Sequence, residues 1–214
     1  MSHLLRIVLP DVPGSLGAVA SAIGATGANI NAIEIVEQRS DGTAVDDVFV
    51  EVGGGVLPDM VVSAVQRLDG VRVLWISRYA ASGNLNLDLE AVELLTQEPD
   101  RALERLTELA PRIFRSDWAL VASAVDGHLA RVHASPGSPV LPAAALGWFP
   151  VDKPARPEIP AGWEGFSATA IAVAPLGSSQ HIIAFGRHGG PEILDSELAR
   201  LGHLAALTGS IHAG

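Results

Sequence analysis

The chain has no cysteine, a single lysine, two methionines and ten aromatic residues among its 214 positions. Without cysteine there is no disulfide, no thiol nucleophile and no thiolate-held metal. The one lysine, Lys153, stands in a proline-rich segment, and Lys and Arg together number 14 against 24 Asp and Glu. The net charge of −10 is shared, with 5 basic and 9 acidic residues before position 79 and 9 basic and 15 acidic residues after it. Neither half offers the basic stripe that a phosphate backbone demands, so nucleic acid is not an expected partner. No uninterrupted apolar run reaches the ~18 residues of a membrane span, and no membrane partner is expected. The opening "MSHLLRIVLPDVPG" has too short an apolar run for a secretory signal and ends it with Pro10 and Asp11. The expected compartment is the cytoplasm.

What is present is apolar and periodic. Nearly half the residues, 48%, are hydrophobic, enough for a sizeable core, and the length suits two small domains. "LLRIVL" reads as a strand, and Leu16, Val19, Ala20 and Ile23 then recur at helical spacing behind a Pro-Gly turn. "GATG" stops that helix. "NINAIEIVEQ" and "TAVDDVFVEV" flank the turn "RSDG" as a hairpin, with Val48, Val50 and Val52 on one face. Met60, Val61, Ala64, Val65 and Leu68 form a second helical stripe between Pro58 and Gly70, and "VRVLWISR" closes the series as a strand. The order βαββαβ predicts a ferredoxin-like sheet of four antiparallel strands with both helices on one face.

"YAASGNLN" lacks periodicity, which places a linker at 79–87 between a first domain at 1–78 and a second at 88–214. Beyond it, Leu87, Val92 and Leu95, then Leu103, Leu106 and Leu109, predict two helical segments parted at Glu98-Pro99. "WALVASAVDGHLARVHAS" predicts a hairpin across Asp126-Gly127, "SATAIAVAPLG" and "QHIIAFGRHGG" two more strands, and Leu194 to Ile211 a closing helix. The fold class expected is α+β, with a central antiparallel sheet flanked by helices in the second domain. Seven of the fourteen prolines lie between Pro136 and Pro160, with Trp148, Phe149 and Trp163 in or beside them. A connection that long inside a compact domain is expected to cover the sheet, anchored by Trp148 or Trp163, and to act as a lid if a ligand lies beneath.

The stretch "DVPGSLGAVASAIGATGANI" carries a specific pattern: Asp11, Pro13, Gly14 and Leu16 ahead of a helix, then Gly27, Asn29 and Ile30 leading into a strand. In this the first 78 residues resemble an ACT domain, the regulatory module that sits beside many enzymes of amino-acid metabolism, and more narrowly an actinobacterial-type amino-acid-binding ACT protein. The resemblance implies a ligand site at Asp11, Val12, Pro13, Gly14, Ser15, Leu16, Asn29 and Ile30, with an amino acid as the small-molecule ligand. The turn would aim free N–H groups of the helix start at a carboxylate, helped by the helix dipole and by the open space at glycine. Asp11 would accept from an ammonium group or cap the helix, and Asn29 offers both a donor and an acceptor. The same residues also build the turn when nothing binds. Residues 88–211 resemble a divergent GAF domain through "AVAPLG" before a strand and "DSEL" before the last helix. They depart from the family where cysteine chemistry is needed and where its cyclic-nucleotide subset has Asn-Lys-x-x-x-Phe-x-x-x-Asp-Glu.

Other constellations carry little chemistry. Asp46 and Asp47 are adjacent in a strand and point to opposite faces, so they are not a catalytic pair. Glu34, Glu37 and Glu51 read as solvated strand residues. His128, His133, His181 and His188 show no ligand spacing, Ser178 and Ser179 lack a nucleophile elbow, and Gly14-x-x-Gly17 is not a dinucleotide fingerprint. No cofactor, metal or enzymatic activity is expected. Two functions remain: a regulatory protein that binds an amino acid or similar small carboxylate, and a ligand-free scaffold or dimerisation protein acting on a partner enzyme. A homodimer is expected in either case, because one face of the first sheet lacks helices, its edges need pairing, and Trp75 and Ile76 supply apolar surface on both faces.

Overall fold

A computed structural model describes residues 2–78, 84–163 and 166–213. The chain divides into two compact units, Met1–Ser82 and Gly83–Gly214.

In the first unit the elements follow the order read from the sequence: β1 (Ser2–Pro10), α1 (Ser15–Ala25), β2 (Asn29–Gln38), β3 (Thr43–Glu51), α2 (Pro58–Gln66) and β4 (Arg72–Arg78). The sheet order is β2-β3-β1-β4, and every neighbouring pair is antiparallel. Alternation decides the faces. Leu5, Ile7, Leu9, Ala44, Val48 and Val50 form one core with Val19 and Ile23 of α1 and Val61 and Val65 of α2. Pro58 opens α2 at a position that needs no N–H. The hairpin turn is fixed by Asp41, whose Oδ1 accepts from the Thr43 N–H and hydroxyl at 3.0 and 2.6 Å, and by Gly42 at φ +81°. On the opposite face Leu4, Arg6, Val8, Val45, Asp47 and Phe49 are buried as well. Trp75 and Ile76 on β4 are half-buried.

The second unit comprises α3 (Asn84–Gln97), a 3-10 turn at Pro99–Arg101, α4 (Ala102–Ile113), β5 (Trp118–Val125), β6 (His128–Ala134), β7 (Thr169–Pro175), β8 (His181–His188) and α5 (Asp195–Ala213). Residues 79–83 of the expected linker lie outside the described residues. Helix α3 begins at Asn84, inside the span read as linker, because Leu87 already belongs to its buried stripe with Ala91 and Leu95 at a spacing of four. The sheet order is β6-β5-β8-β7, all antiparallel. Ala119, Val121, Ala172, Ala174, Ile183 and Phe185 face the helices, and Phe114 stacks on Phe185 at 4.7 Å. Gly209 of α5 packs so tightly on the β7–β8 turn that an added Cβ would lie 2.5 Å from the Gly177 nitrogen.

The other face is covered by the proline-rich connection, as its aromatic residues suggested. Trp148 and Trp163 are both buried against Trp118, Leu120, Ile171, Val173 and Ile182. Their indole N–H groups donate to the connection's own carbonyls, Trp148 to Glu158 at 3.1 Å and Trp163 to Val140 at 2.6 Å. Ala155 and Val173 exchange two backbone hydrogen bonds of 2.9 Å, so the connection also borders the sheet at β7. Among the described residues no helix is long and apolar enough to cross a membrane.

Candidate functional site

The β1–α1 turn has the features of an anion seat. Gly14 is the N-cap of α1 at φ +95°, a left-handed conformation that suits glycine, and no side chain caps the helix. Ser15 N–H donates to Val12 at 3.2 Å and Ala18 N–H to Gly14 at 2.9 Å. Between them, the Leu16 and Gly17 N–H groups find no backbone acceptor among the described residues. A Cβ built at Gly14 would meet nothing within 4 Å, so the space over the turn is open. Asp11 does not cap α1. Its N–H donates to Gly42 at 2.9 Å and its Oδ2 accepts from the Gln38 amide at 3.1 Å, which ties the turn to the β2–β3 hairpin.

The eight residues singled out in the sequence do not converge. Asp11, Val12, Pro13 and Gly14 are exposed at the turn, with Ser15 half-buried beside them. Leu16 and Ile30 pack against the core. Asn29 pairs with Glu51, which pairs with Ser2, whereas the turn follows Pro10, which pairs with Thr43. Eight residues of strand at ~3.3 Å each put Asn29 about 26 Å from the turn. The cause is the crossover itself: α1 carries the chain back along the sheet, so the end of β1 and the start of β2 lie at opposite ends. The expectation that Asn29 faces the helix start within one chain is corrected accordingly. Its amide instead donates to the Asn31 side chain at 3.2 Å.

Asp46, excluded from a catalytic pair on the sequence, is the residue whose burial sequence reasoning missed. Only 2% exposed, it pairs with Ile7 and Ile35 on the helix-facing side of β3, and its Oδ1 has no hydrogen-bond partner. Burial, then the neighbouring charges of Asp11 and Asp47, raise its carboxyl above the usual carboxylate range. The signal available in the sequence was an acid at a position of β3 flanked at ±2 by Ala44 and Val48.

In the second unit a cavity of about 860 Å³ opens between the proline-rich connection and the sheet, lined by Trp148, Val151, Asp152, Lys153, Glu158 and Val173 among others. Away from this cavity, the buried Arg187 of β8 is structural: it donates to Glu197 at 2.8 Å and to the Phe114 carbonyl at 2.6 Å, while Glu197 accepts from the Leu194 N–H at 2.8 Å. Ser178 and His181 lie 3.1 Å apart, in a turn where His181 N–H also donates to the Ser178 carbonyl. Among the described residues no group of three or more His, Cys, Asp or Glu is placed to hold a metal ion.

Residues 3–70 match the family model of the ACT domain. The first unit is thus an ACT domain by sequence and by topology. Among solved structures, the chain is similar to the GAF domain of a protein described as a sensor histidine kinase from Pseudomonas syringae pv. tomato, at 15% identity over 59% of this chain and 83% of that one, with a TM-score of 0.44. It is also similar to a formyltetrahydrofolate deformylase from Pseudomonas putida KT2440, at 9% identity over 45% of this chain and 38% of that one, TM-score 0.30. An unknown protein from Galdieria sulphuraria aligns at 13% identity over 86% of this chain and 78% of that one, TM-score 0.32. No curated protein matches the sequence.

Proposed function

We propose that the protein is a non-catalytic cytoplasmic regulator whose ACT domain binds an amino acid or similar small carboxylate metabolite at the β1–α1 turn. The observation that carries this reading is the uncapped start of α1 behind an open Gly14, within a segment that matches the ACT family. A ligand carboxylate would accept from the free N–H groups of Leu16 and Gly17, where the helix dipole favours negative charge.

A homodimer gives Asn29 a place in this site. Strand β2 is a sheet edge, and antiparallel pairing of two β2 strands about a two-fold axis sets Asn29 of one copy beside Gln38 of the other. Gln38 already holds Asp11 of its own turn. Each ligand would then sit between the turn of one copy and the strand start of the next. A thermal-shift screen over the proteinogenic L-amino acids tests the reading, since a ligand at ~100 times its dissociation constant stabilises by about 2.7 kcal/mol. No stabilisation by any of them overturns it in favour of the ligand-free scaffold. Light scattering that returns a monomer mass at micromolar concentration overturns the shared site.

A further inference from the structure

We propose that the cavity of the second unit binds a small organic ammonium ion, an amine carried on an aryl or alkyl body, independently of the turn in the ACT domain. At about 860 Å³ the cavity has the size of a small-molecule site. It opens between two limbs of the proline-rich connection and reaches Val173 of β7. Trp148, Val151, Pro160 and Val173 are all buried and give it an apolar floor. That floor is already built. The Trp148 indole donates to the Glu158 carbonyl from one limb to the other at 3.1 Å, the Val151 N–H donates to Ser179 at 3.0 Å, and Ala155 exchanges hydrogen bonds with Val173. A ligand enters a formed space and does not have to order it.

The charges around this space select the ligand. Asp152, Lys153 and Glu158 line it and are exposed, and their charged groups make no ion pair or hydrogen bond among the described residues. Arg156, which stands among them in the chain, is committed elsewhere: it donates to the Ile193 carbonyl and to Asp195, each at 2.6 Å. The rim therefore sets two carboxylates against one ammonium, in a unit with 15 acidic residues and 9 basic ones. The walls are short of donors as well. Pro150, Pro157 and Pro160 have no N–H, and the Trp148 indole and the N–H groups of Val151 and Ala155 are already in use. A carboxylate ligand would find Lys153 and face two like charges. An ammonium ligand finds two uncommitted acceptors, and the Trp148 ring bordering the same space favours a cation further. An apolar body on the floor with its ammonium at the rim satisfies both halves of the site.

The test is proton–nitrogen correlation NMR of the full chain, read at the Trp148 indole N–H, whose signal Trp148→Phe assigns by its loss. The probes are phenylbutylammonium and two molecules of similar shape, phenylpentanoate and phenylbutanol. The ammonium ion is expected to shift the Trp148 signal saturably, and the carboxylate and the alcohol to bind at least about fivefold more weakly. Asp152→Asn with Glu158→Gln should weaken the ammonium ion about two- to fivefold, and Lys153→Gln should tighten it by a similar factor, as suits exposed charges. For the carboxylate both signs reverse. A carboxylate or alcohol that binds as tightly as the ammonium ion, or an ammonium ion that Lys153→Gln weakens, overturns the charge selection. No saturable shift at Trp148 with the ammonium ion overturns the cavity as its site. The turn of the ACT domain stands or falls separately, by the amino-acid screen.

Discussion

Arg6 and Asp47 face each other across β1 and β3 and share two hydrogen bonds, of 2.7 and 2.9 Å, with both side chains 1% exposed. Removing one partner leaves a buried charge without its counter-ion, so Asp47→Ala is expected to destabilise the protein by about 3–5 kcal/mol. Replacing both with apolar residues of similar size, as in Arg6→Met with Asp47→Leu, is expected to recover most of that loss. Urea denaturation of the two variants checks the order. A double variant as unstable as Asp47→Ala would show that the pair contributes more than charge balance.

Asp46 predicts a pH dependence of stability. Its folded-state pKa is raised, so the folded chain holds this proton more tightly than the unfolded chain does. The stability it contributes is full below the ordinary Asp pKa of about 3.9 and is lost as pH rises through the folded value. Relative to wild type, Asp46→Asn should therefore gain stability from about pH 4 upward and level off once Asp46 is ionised. Urea midpoints for both proteins across that range measure the difference. A difference that does not change with pH refutes the shift.

Gly186 sits under an indole: a Cβ there would lie 2.1 Å from the nearest Trp118 ring atom. Gly186→Ala is expected to cost about 1–3 kcal/mol or more by overpacking, and Trp118→Leu in the same chain to restore part of it. Thermal melts of the single and double variants decide, and simple additivity of the two losses would contradict the contact.

The covering connection depends on Trp163, which meets Trp118 and Trp148 edge-on at 5.7 and 5.5 Å and donates to Val140. Trp163→Ala should lose about 3–5 kcal/mol from the second unit. Limited proteolysis should then cut first between Pro136 and Pro160, and Trp163→Phe should be cut more slowly than Trp163→Ala. Cleavage elsewhere before that segment would place the weak point outside it.

How far the sequence reaches depends on whether neighbours in space are neighbours in the chain. The strands and helices of both units follow from alternation and helical spacing, since Val48, Val50 and Val52, or Leu201, Leu204 and Ala205, announce their faces locally. Trp148 and Trp163 were legible as anchors because aromatic residues in a proline-rich connection have few other apolar places to go. The first residues of α3 were not, because "SGNLN" is turn-like in composition and the helical stripe legible from Leu87 onward does not announce the residues ahead of it. The Arg6–Asp47 and Arg187–Glu197 pairs were hidden because each joins elements whose register no local pattern fixes. At the candidate site the turn was legible from Pro13 and Gly14. The separation of Asn29 from it was not, because the motif runs through a helix that reverses direction, and the burial of Asp46 was not, because adjacency to Asp47 in a strand shows only that the two point to opposite faces.

The contact of Gly209 with Gly177 sets a rule for reading related sequences. Gly177 is held at φ +71°, and the helix lies on its backbone with no side chain between them. Any side chain at the position of Gly209 must lift the last turns of the helix off the sheet or move the turn beneath it. In an alignment of relatives the two positions should therefore vary together or not at all. A chain with alanine or serine at the second site marks a branch in which the C-terminal helix has found another seat.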